Sequence, residues 1–432
     1  MTGFTIDVDH NEFMAEGDTV VDAIVTVTST GEAVPGGEGD TLAQVLIIDC
    51  SGSMTGARIA EAKRATAAAL DALPDGVSFA IVSGATIATM AYPTDEKTAV
   101  LNADTRAAAK KAIRRLSASG GTAMGTWLTT AARVLAEAPT SIKHALLLTD
   151  GFNQHESRES LQEALDACKG EFVCDAVGIG SDWHAEEIRL IADGLLGQAD
   201  GLPDQMDWET GFAAITRDAT KKTIADLALR VFTPARNDIR FIKQMNPHII
   251  DLSKRRTDID DKTGDYATGA WGAESREFHI SVDVPPITTG DDRLAARISV
   301  VAGTTELARG MVTAKWTGDT MLSTKLNPRV AHYTGQAELA AAIQEGIAAH
   351  KRGDTSEATN KLGKAMTLAK ESGHDNTAKL LAKVVDVDDA GTIQLKSNVK
   401  GIDLEMADVA STKTVTVRKR PDGTPPAQGA RP

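Results

Sequence analysis

Cysteine is scarce in this chain: Cys50, Cys168 and Cys174 are the three among 432 residues. Cys168 and Cys174 flank residues 169–173, read as a helix-to-strand passage, and no second pair exists to complete a zinc site. Reduced, buried thiols are the expectation, which suits the cytosol. A basic excess is lacking as well. Lys and Arg total 46 against 60 Asp and Glu, a net charge of -14. Nucleic acid and anionic membrane surfaces both demand a basic face, so neither is an expected partner. No stretch has the apolar length of a transmembrane helix, and residues 1–5 carry neither the basic nor the apolar region of a secretory signal. The sequence predicts a cytoplasmic protein without membrane insertion. Also missing are the motifs G-x-x-x-x-G-K-[ST], H-E-x-x-H and G-x-S-x-G, the usual marks of nucleotide, zinc-protease and serine-hydrolase chemistry.

What the chain has is length, 42% apolar content and one informative junction. The size allows about two to four domains with real cores. The apolar run Val45-Leu46-Ile47-Ile48 reads as a strand buried on both faces, and Asp49-Cys50-Ser51-Gly52-Ser53 follows it directly. In an open α/β sheet, ligands gather at the carboxyl ends of such strands. Alternate oxygen donors on a tight, Gly-containing turn suit a small hard cation. The soft thiol of Cys50 is a poor ligand for such an ion and is expected to point into the core. Two further donors come from later segments. Thr122 lies in the Gly-rich loop Ser119-Gly120-Gly121-Thr122 ahead of a helical stretch, and Asp150 follows the apolar strand ending in Leu147-Leu148-Thr149.

With these residues in this order, residues 41–215 resemble the von Willebrand factor type A (VWA) family. Its metal-ion-dependent adhesion site (MIDAS) is a D-x-S-x-S string completed by a Thr and an Asp from two later loops. Asp49, Ser51, Ser53, Thr122 and Asp150 fill all five positions. The resemblance implies Mg²⁺ or Mn²⁺, with Ser51 and Ser53 binding through their hydroxyls and Thr122 directly or through water. Asp49 and Asp150 then hold bridging waters, and one coordination position stays open for a carboxylate from a partner protein. It implies a metal-dependent protein–protein interaction module, an adaptor rather than an enzyme. Cytoplasmic bacterial members of the family act beside AAA+ ATPases or in kinase-linked signalling complexes, so those are the implied partner types. Coupling through the last helix of the block, near 212–219, is implied likewise. The alternative is a metal-dependent hydrolase using the same Asp/Ser/Thr cluster, with Cys50, Thr149 and His155 as the candidate nucleophile or base.

Around this block the hydrophobic period changes. Helical spacing from Ile59 to Leu73 stops before Pro74, and further helices are expected over 104–116, 124–137, 157–169 and 184–192, with strands between. The fold class is α/β, a doubly wound, mostly parallel, Rossmann-like sheet. Phe278, Ile280, Val282 and Val284 alternate with polar residues, the pattern of a half-buried antiparallel strand. A β-sandwich over 222–320 is expected, with residues 1–30 contributing strands to it and the VWA-like block, 41–215, inserted. Residues 331–386 show helical stripes resembling a tetratricopeptide-type hairpin, and 387–432 read as an extended, mostly disordered tail. Within that tail, Thr412 and Thr414 are candidate phosphorylation sites or else part of an edge strand. The Asp-rich loop 258–265 fails as a calcium loop, because its twelfth position is Gly269 instead of Glu. His144 and His155 are expected as surface or hydrogen-bonded residues and Trp127 as core.

Overall fold

The computed structural model describes residues 3–32, 41–203, 207–285, 290–387, 393–396 and 398–415. Three strands open the chain: β1 (Phe4–His10), β2 (Phe13–Ala15) and β3 (Val20–Thr30). An alternating block follows, with β4 (Leu42–Asp49), α1 (Ala57–Ala72), β5 (Ser78–Gly84), β6 (Thr89–Tyr92), β7 (Ala99–Val100), α2 (Ala103–Arg115) and α3 (Met124–Ala136). It continues through β8 (Ile142–Thr149), α4 (Arg158–Cys168), β9 (Val173–Ile179), α5 (Ala185–Gly194), β10 (Ala199–Leu202) and α6 (Trp208–Ala219). These strands form one sheet in the order β10-β9-β8-β4-β5-β6, with β7 also on β5. Neighbours from β10 to β5 run parallel, and β6 and β7 are antiparallel additions at one edge.

Every residue of β4 is buried. Its side chains alternate between two cores, as a strand period of two requires. Val45 and Ile47 pack with α3, α4 and α5, while Leu46 and Ile48 pack with α1, α2 and α6. A fully covered Ile or Leu contributes about 2 kcal/mol, so a one-residue slip of this strand would exchange two whole sets of contacts. The register Ile47↔Val82 and Ile47↔Leu147 sets the carboxyl ends of β4, β5 and β8 side by side. Helix α1 ends at Ala72, and its cap Leu73 is extended ahead of Pro74.

Eight strands come next: β11 (Ile224–Phe232), β12 (Asp238–Asn246), β13 (Ile250–Asp251), β14 (Arg256–Asp260), β15 (Thr263–Trp271), β16 (Ala273–Asp283), β17 (Asp292–Ala302) and β18 (Thr305–Thr317). They form two sheets, β1-β3-β16-β12-β13 and β14-β15-β11-β17-β18-β2, in which strands from both sides of the α/β block take part. One core cluster joins Val25, Phe278 and Ile280 of the first sheet to Leu229, Val231 and Ile298 of the second. The expected polar face of β16 is not in solvent. Glu277, His279 and Ser281 are buried, and α8 (Pro328–Lys351), which follows the short α7 (Thr320–Ser323), covers Glu277. Val330 and Tyr333 pack on Ile24 and Met245, the Tyr333 hydroxyl donates to Glu277, and Arg329 pairs with Asp9 and Glu277. Alternation in β16 therefore separates an apolar core from a polar helix interface.

After α8 come α9 (Thr355–Glu371), α10 (Asp375–Val384), the short pair β19 (Val385–Val387) and β20 (Ile393–Leu395), and α11 (Gly401–Ser411). The extended tail expected from 387 is thereby corrected: α11 packs into the cluster built by α8, α9 and α10 and also touches α5 and β10. Thr412 is buried with its hydroxyl on the Val409 carbonyl, and Thr414 donates to the carbonyls of Met245 and Pro247. Modification at either position requires this segment to undock. Most of the Gly-rich linker, 33–40, and the Pro-rich end, 416–432, lie outside the described residues. No described helix is long and apolar enough to cross a membrane.

Candidate metal centre

The five oxygen donors come together at the carboxyl edge of the parallel sheet. Asp49, the last residue of β4, is fully buried and both its oxygens are engaged: Oδ1 accepts from the Ser51 amide at 2.8 Å and Oδ2 from the Thr149 hydroxyl at 2.6 Å. The hydroxyls of Ser51 and Ser53 lie 2.9 Å apart, and Ser53 Oγ donates to Asp150 Oδ1 at 2.7 Å. Thr122 closes the group, since a methyl built on Gly151 would meet Ser53 Oγ at 3.6 Å and Thr122 Oγ1 at 3.9 Å. Burial raises the Asp49 carboxyl above its ordinary range, against the hydrogen bonds from Thr149 and Ser51, and the charge of Asp150 adds to the rise.

Backbone contacts fix the three segments. Cys50 N donates to the Gly84 carbonyl at 2.7 Å, Ser119 N to the Cys50 carbonyl at 2.7 Å, and Gly52 N to the Gly120 carbonyl at 2.9 Å. Gly120 has φ +82, a left-handed conformation that costs Gly nothing and lets the Thr122 loop turn onto the D-x-S-x-S turn. The loop after Asp150 then clamps the start of α3. Thr122 N donates to His155 Nδ1 at 3.1 Å, Met124 N to Asn153 Oδ1 at 2.9 Å, and Gly125 N to Glu156 Oε2 at 2.8 Å. Asn153 and Glu156 satisfy N-terminal amides that a helix leaves open, and Ala123 at its cap supplies no such acceptor. His155 accordingly holds the Thr122 loop. His144 lies toward the other end of β8, buried between Gln44 at 3.0 Å and Asp175 at 3.0 Å. Trp127 is core, with its indole N–H on the Ala85 carbonyl.

Sequence reasoning missed Arg58. Its Nη1 contacts Asp150 Oδ2 at 2.8 Å and its Nη2 contacts Asp182 Oδ2 at 2.7 Å. One signal was readable: Arg58 sits in the first turn of α1, which has no acidic residue there, and a cation at a helix N-terminus opposes the macrodipole. A residue that breaks a local rule often serves a site.

The donor set fits a hard divalent cation. It comprises two carboxylates and three hydroxyls, without nitrogen or sulfur, and oxygen-only sets suit Mg²⁺, Mn²⁺ or Ca²⁺ over zinc. Among the described residues no group of three or more His, Cys, Asp or Glu is arranged to hold a metal, so a centre of the zinc type is not found there.

The fold and these residues define a class: a doubly wound α/β domain with an oxygen-donor cluster at the carboxyl edge of its sheet. Family models agree, one described as von Willebrand factor type A domain over residues 43–200, another as von Willebrand factor type A C-terminal domain over 367–411. Among solved structures the chain is similar to a von Willebrand factor type A protein from Catenulispora acidiphila, at 46% identity, with a TM-score of 0.91, over 96% of this chain and 97% of that one. The ArnB paralog VWA2 from Sulfolobus acidocaldarius shares the fold at 14% identity, TM-score 0.57, over 95% and 98% of the two chains. No curated protein matches. The chain belongs to the von Willebrand factor type A family, whose members commonly mediate protein–protein interaction.

Proposed function

We propose that this chain is a metal-dependent adaptor, in which Mg²⁺ or Mn²⁺ at an intact MIDAS, formed by Asp49, Ser51, Ser53, Thr122 and Asp150, grips an acidic residue of a partner protein. The observation that carries this reading is the continuous chain Ser51–Ser53–Asp150 beside the doubly anchored Asp49. Ser51, Ser53 and Thr122 would supply hydroxyl ligands, and the two carboxylates would orient the ion's water. When bound, the ion supplies Lewis-acid coordination for an external carboxylate. A partner of the AAA+ ATPase or kinase-linked type, in the bacterial cytoplasm, is the matching expectation. We read the α/β block as an insert in a β-sandwich followed by a helical domain. The sandwich and helices then present the metal site to one side and leave their own faces to other contacts.

Geometry disfavours the hydrolase alternative. Burial pushes the Cys50 thiol up to about 11, so it carries no thiolate at neutral pH. The Thr149 hydroxyl is spent on Asp49, and His155 Nδ1 accepts from the Thr122 amide. None of the three is left as nucleophile or base. A pull-down from native lysate in Mg²⁺ and in EDTA, with Asp49→Ala and Asp150→Ala as controls, tests the proposal. Partners released by chelator and by both substitutions are the expected result. Retention in EDTA, or turnover of phosphoesters lost in the same variants, refutes it.

A further inference from the structure

Arg58 occupies a place where a cation is unwelcome on local grounds, at the positive end of α1. Two carboxylates offset that cost. The guanidinium spans from Asp150, which is fully buried, to Asp182, whose side chain is 59% exposed, and is itself 26% exposed. Its planar fork engages one carboxylate with each terminal nitrogen. Asp150 thus has one oxygen on Ser53 and the other on a fixed positive charge.

Resting on the metal-centre reading above, the geometry assigns Arg58 the role of a resident counter-cation that sets the charge of the centre and so selects an anionic ligand. The arithmetic is direct. Asp49 and Asp150 carry two negative charges, which a divalent ion alone would cancel. Arg58 leaves the loaded centre at one net positive charge, and an incoming carboxylate brings it to zero. Without Arg58 the same carboxylate would arrive at a neutral centre and leave it negative, an uncompensated charge in a partly dried interface. Asp182, paired with Arg58 at 2.7 Å, adds one negative charge at the exposed end whether or not the ion is bound, so the role of Arg58 is relative: its presence makes the centre one unit more positive than its absence. Arg58 is a specificity-determining residue: it weakens the metal's own binding and strengthens the binding of what the metal holds.

Those opposed effects separate this role from a structural one. If Arg58 merely held Asp150 in place, its loss would weaken metal and carboxylate together. Calorimetric titration of the full chain with MnCl₂ measures the first, and titration of acetate into the Mn²⁺-saturated protein, followed by water-proton relaxation, measures the second. With water-like screening, Coulomb's law makes a unit charge about 5 Å away worth roughly tenfold to a divalent ion and about fourfold to a singly charged anion. Arg58→Gln is expected to take up Mn²⁺ about tenfold more tightly and to hold acetate about fourfold less tightly. Arg58→Met, which keeps the apolar stem, is expected to do the same, and Arg58→Lys to stay near wild type on both. Circular dichroism confirms that each variant is folded. Unchanged affinities in both neutral variants, or weakening of both ligands, overturn the assignment while leaving the metal centre standing. A wild-type chain that takes up no Mn²⁺ removes both readings.

Discussion

At the scale of single residues, the centre depends on groups that never touch a ligand. Thr149 is one. Its hydroxyl donates to Asp49 Oδ2 and accepts from the Gly151 amide at 3.2 Å, tying the ends of β4 and β8 together. Thr149→Val preserves shape but leaves a buried carboxylate oxygen without its donor, a loss of about 1–3 kcal/mol. Urea denaturation is expected to show that loss and Mn²⁺ titration a weaker site; an unchanged midpoint would contradict the geometry. The D-x-S-x-S string, Thr122 and Asp150 were legible because strand, turn and donor chemistry coincide in sequence. Thr149 could be singled out only as a potential nucleophile, since its partner lies on another strand. The thiols give a second expectation at this scale. Cys50, Cys168 and Cys174 are buried and unpaired, and burial raises all three thiols. An aromatic disulfide reagent should find no reactive thiol in the native protein and three after denaturation.

Among elements, α5 and α11 show how distant segments complete one another. His184 at the cap of α5 offers no side-chain acceptor, and the need is met from α11: Ala185 N donates to Glu405 Oε2 at 2.8 Å. Lys351 of α8 holds the other Glu405 oxygen at 2.8 Å, and Asp408 pairs with Arg189 on α5 at 3.0 Å. Glu405→Ala removes the cap and leaves the half-exposed Lys351 to solvent, for a loss of about 1 kcal/mol. Equilibrium denaturation checks this, and a variant as stable as wild type would show that the helices pack without the contact. This element escaped sequence reading for a physical reason. Lys400 provides no cap to announce α11, and its run Gly401-Ile402-Asp403-Leu404-Glu405 turns acidic side chains inward toward cations supplied elsewhere. The apolar run of β4 had no such dependence: eight residues buried on both faces declare a central strand by themselves. Strand β16 falls between, its alternation readable but its second cover, α8, not.

Taken whole, the molecule places a polar seam between the amino edge of the parallel sheet and the two mainly antiparallel sheets. A cavity of about 150 Å³ lies there, lined among others by His144, Asp175, Gln198, His248, Glu274 and Arg276. The His248 backbone also forms an antiparallel bridge with Lys413 just beyond α11, which brings a third region of the chain to the seam. Burial, with the charge of Lys413 adding, pushes His248 down to about 4, against Asp175 and Asp200, which favour its protonation. The folded state therefore takes up this proton only below about 4, whereas the unfolded chain takes it up near 6.5. The stability tied to neutral His248 is complete above 6.5 and is lost progressively as pH falls toward 4, up to about 3 kcal/mol. Asp193 acts with the opposite sign: burial raises it to about 6, so its protonation favours the fold below that pH and flattens the wild-type profile. Subtracting wild type from a variant isolates the histidine. His248→Gln is expected to gain stability relative to wild type steadily between pH 6.5 and 4, with a constant difference above pH 7. Thermal or urea unfolding across that range measures it, and parallel profiles for the two proteins would mean that the seam opens to solvent before the imidazole is protonated.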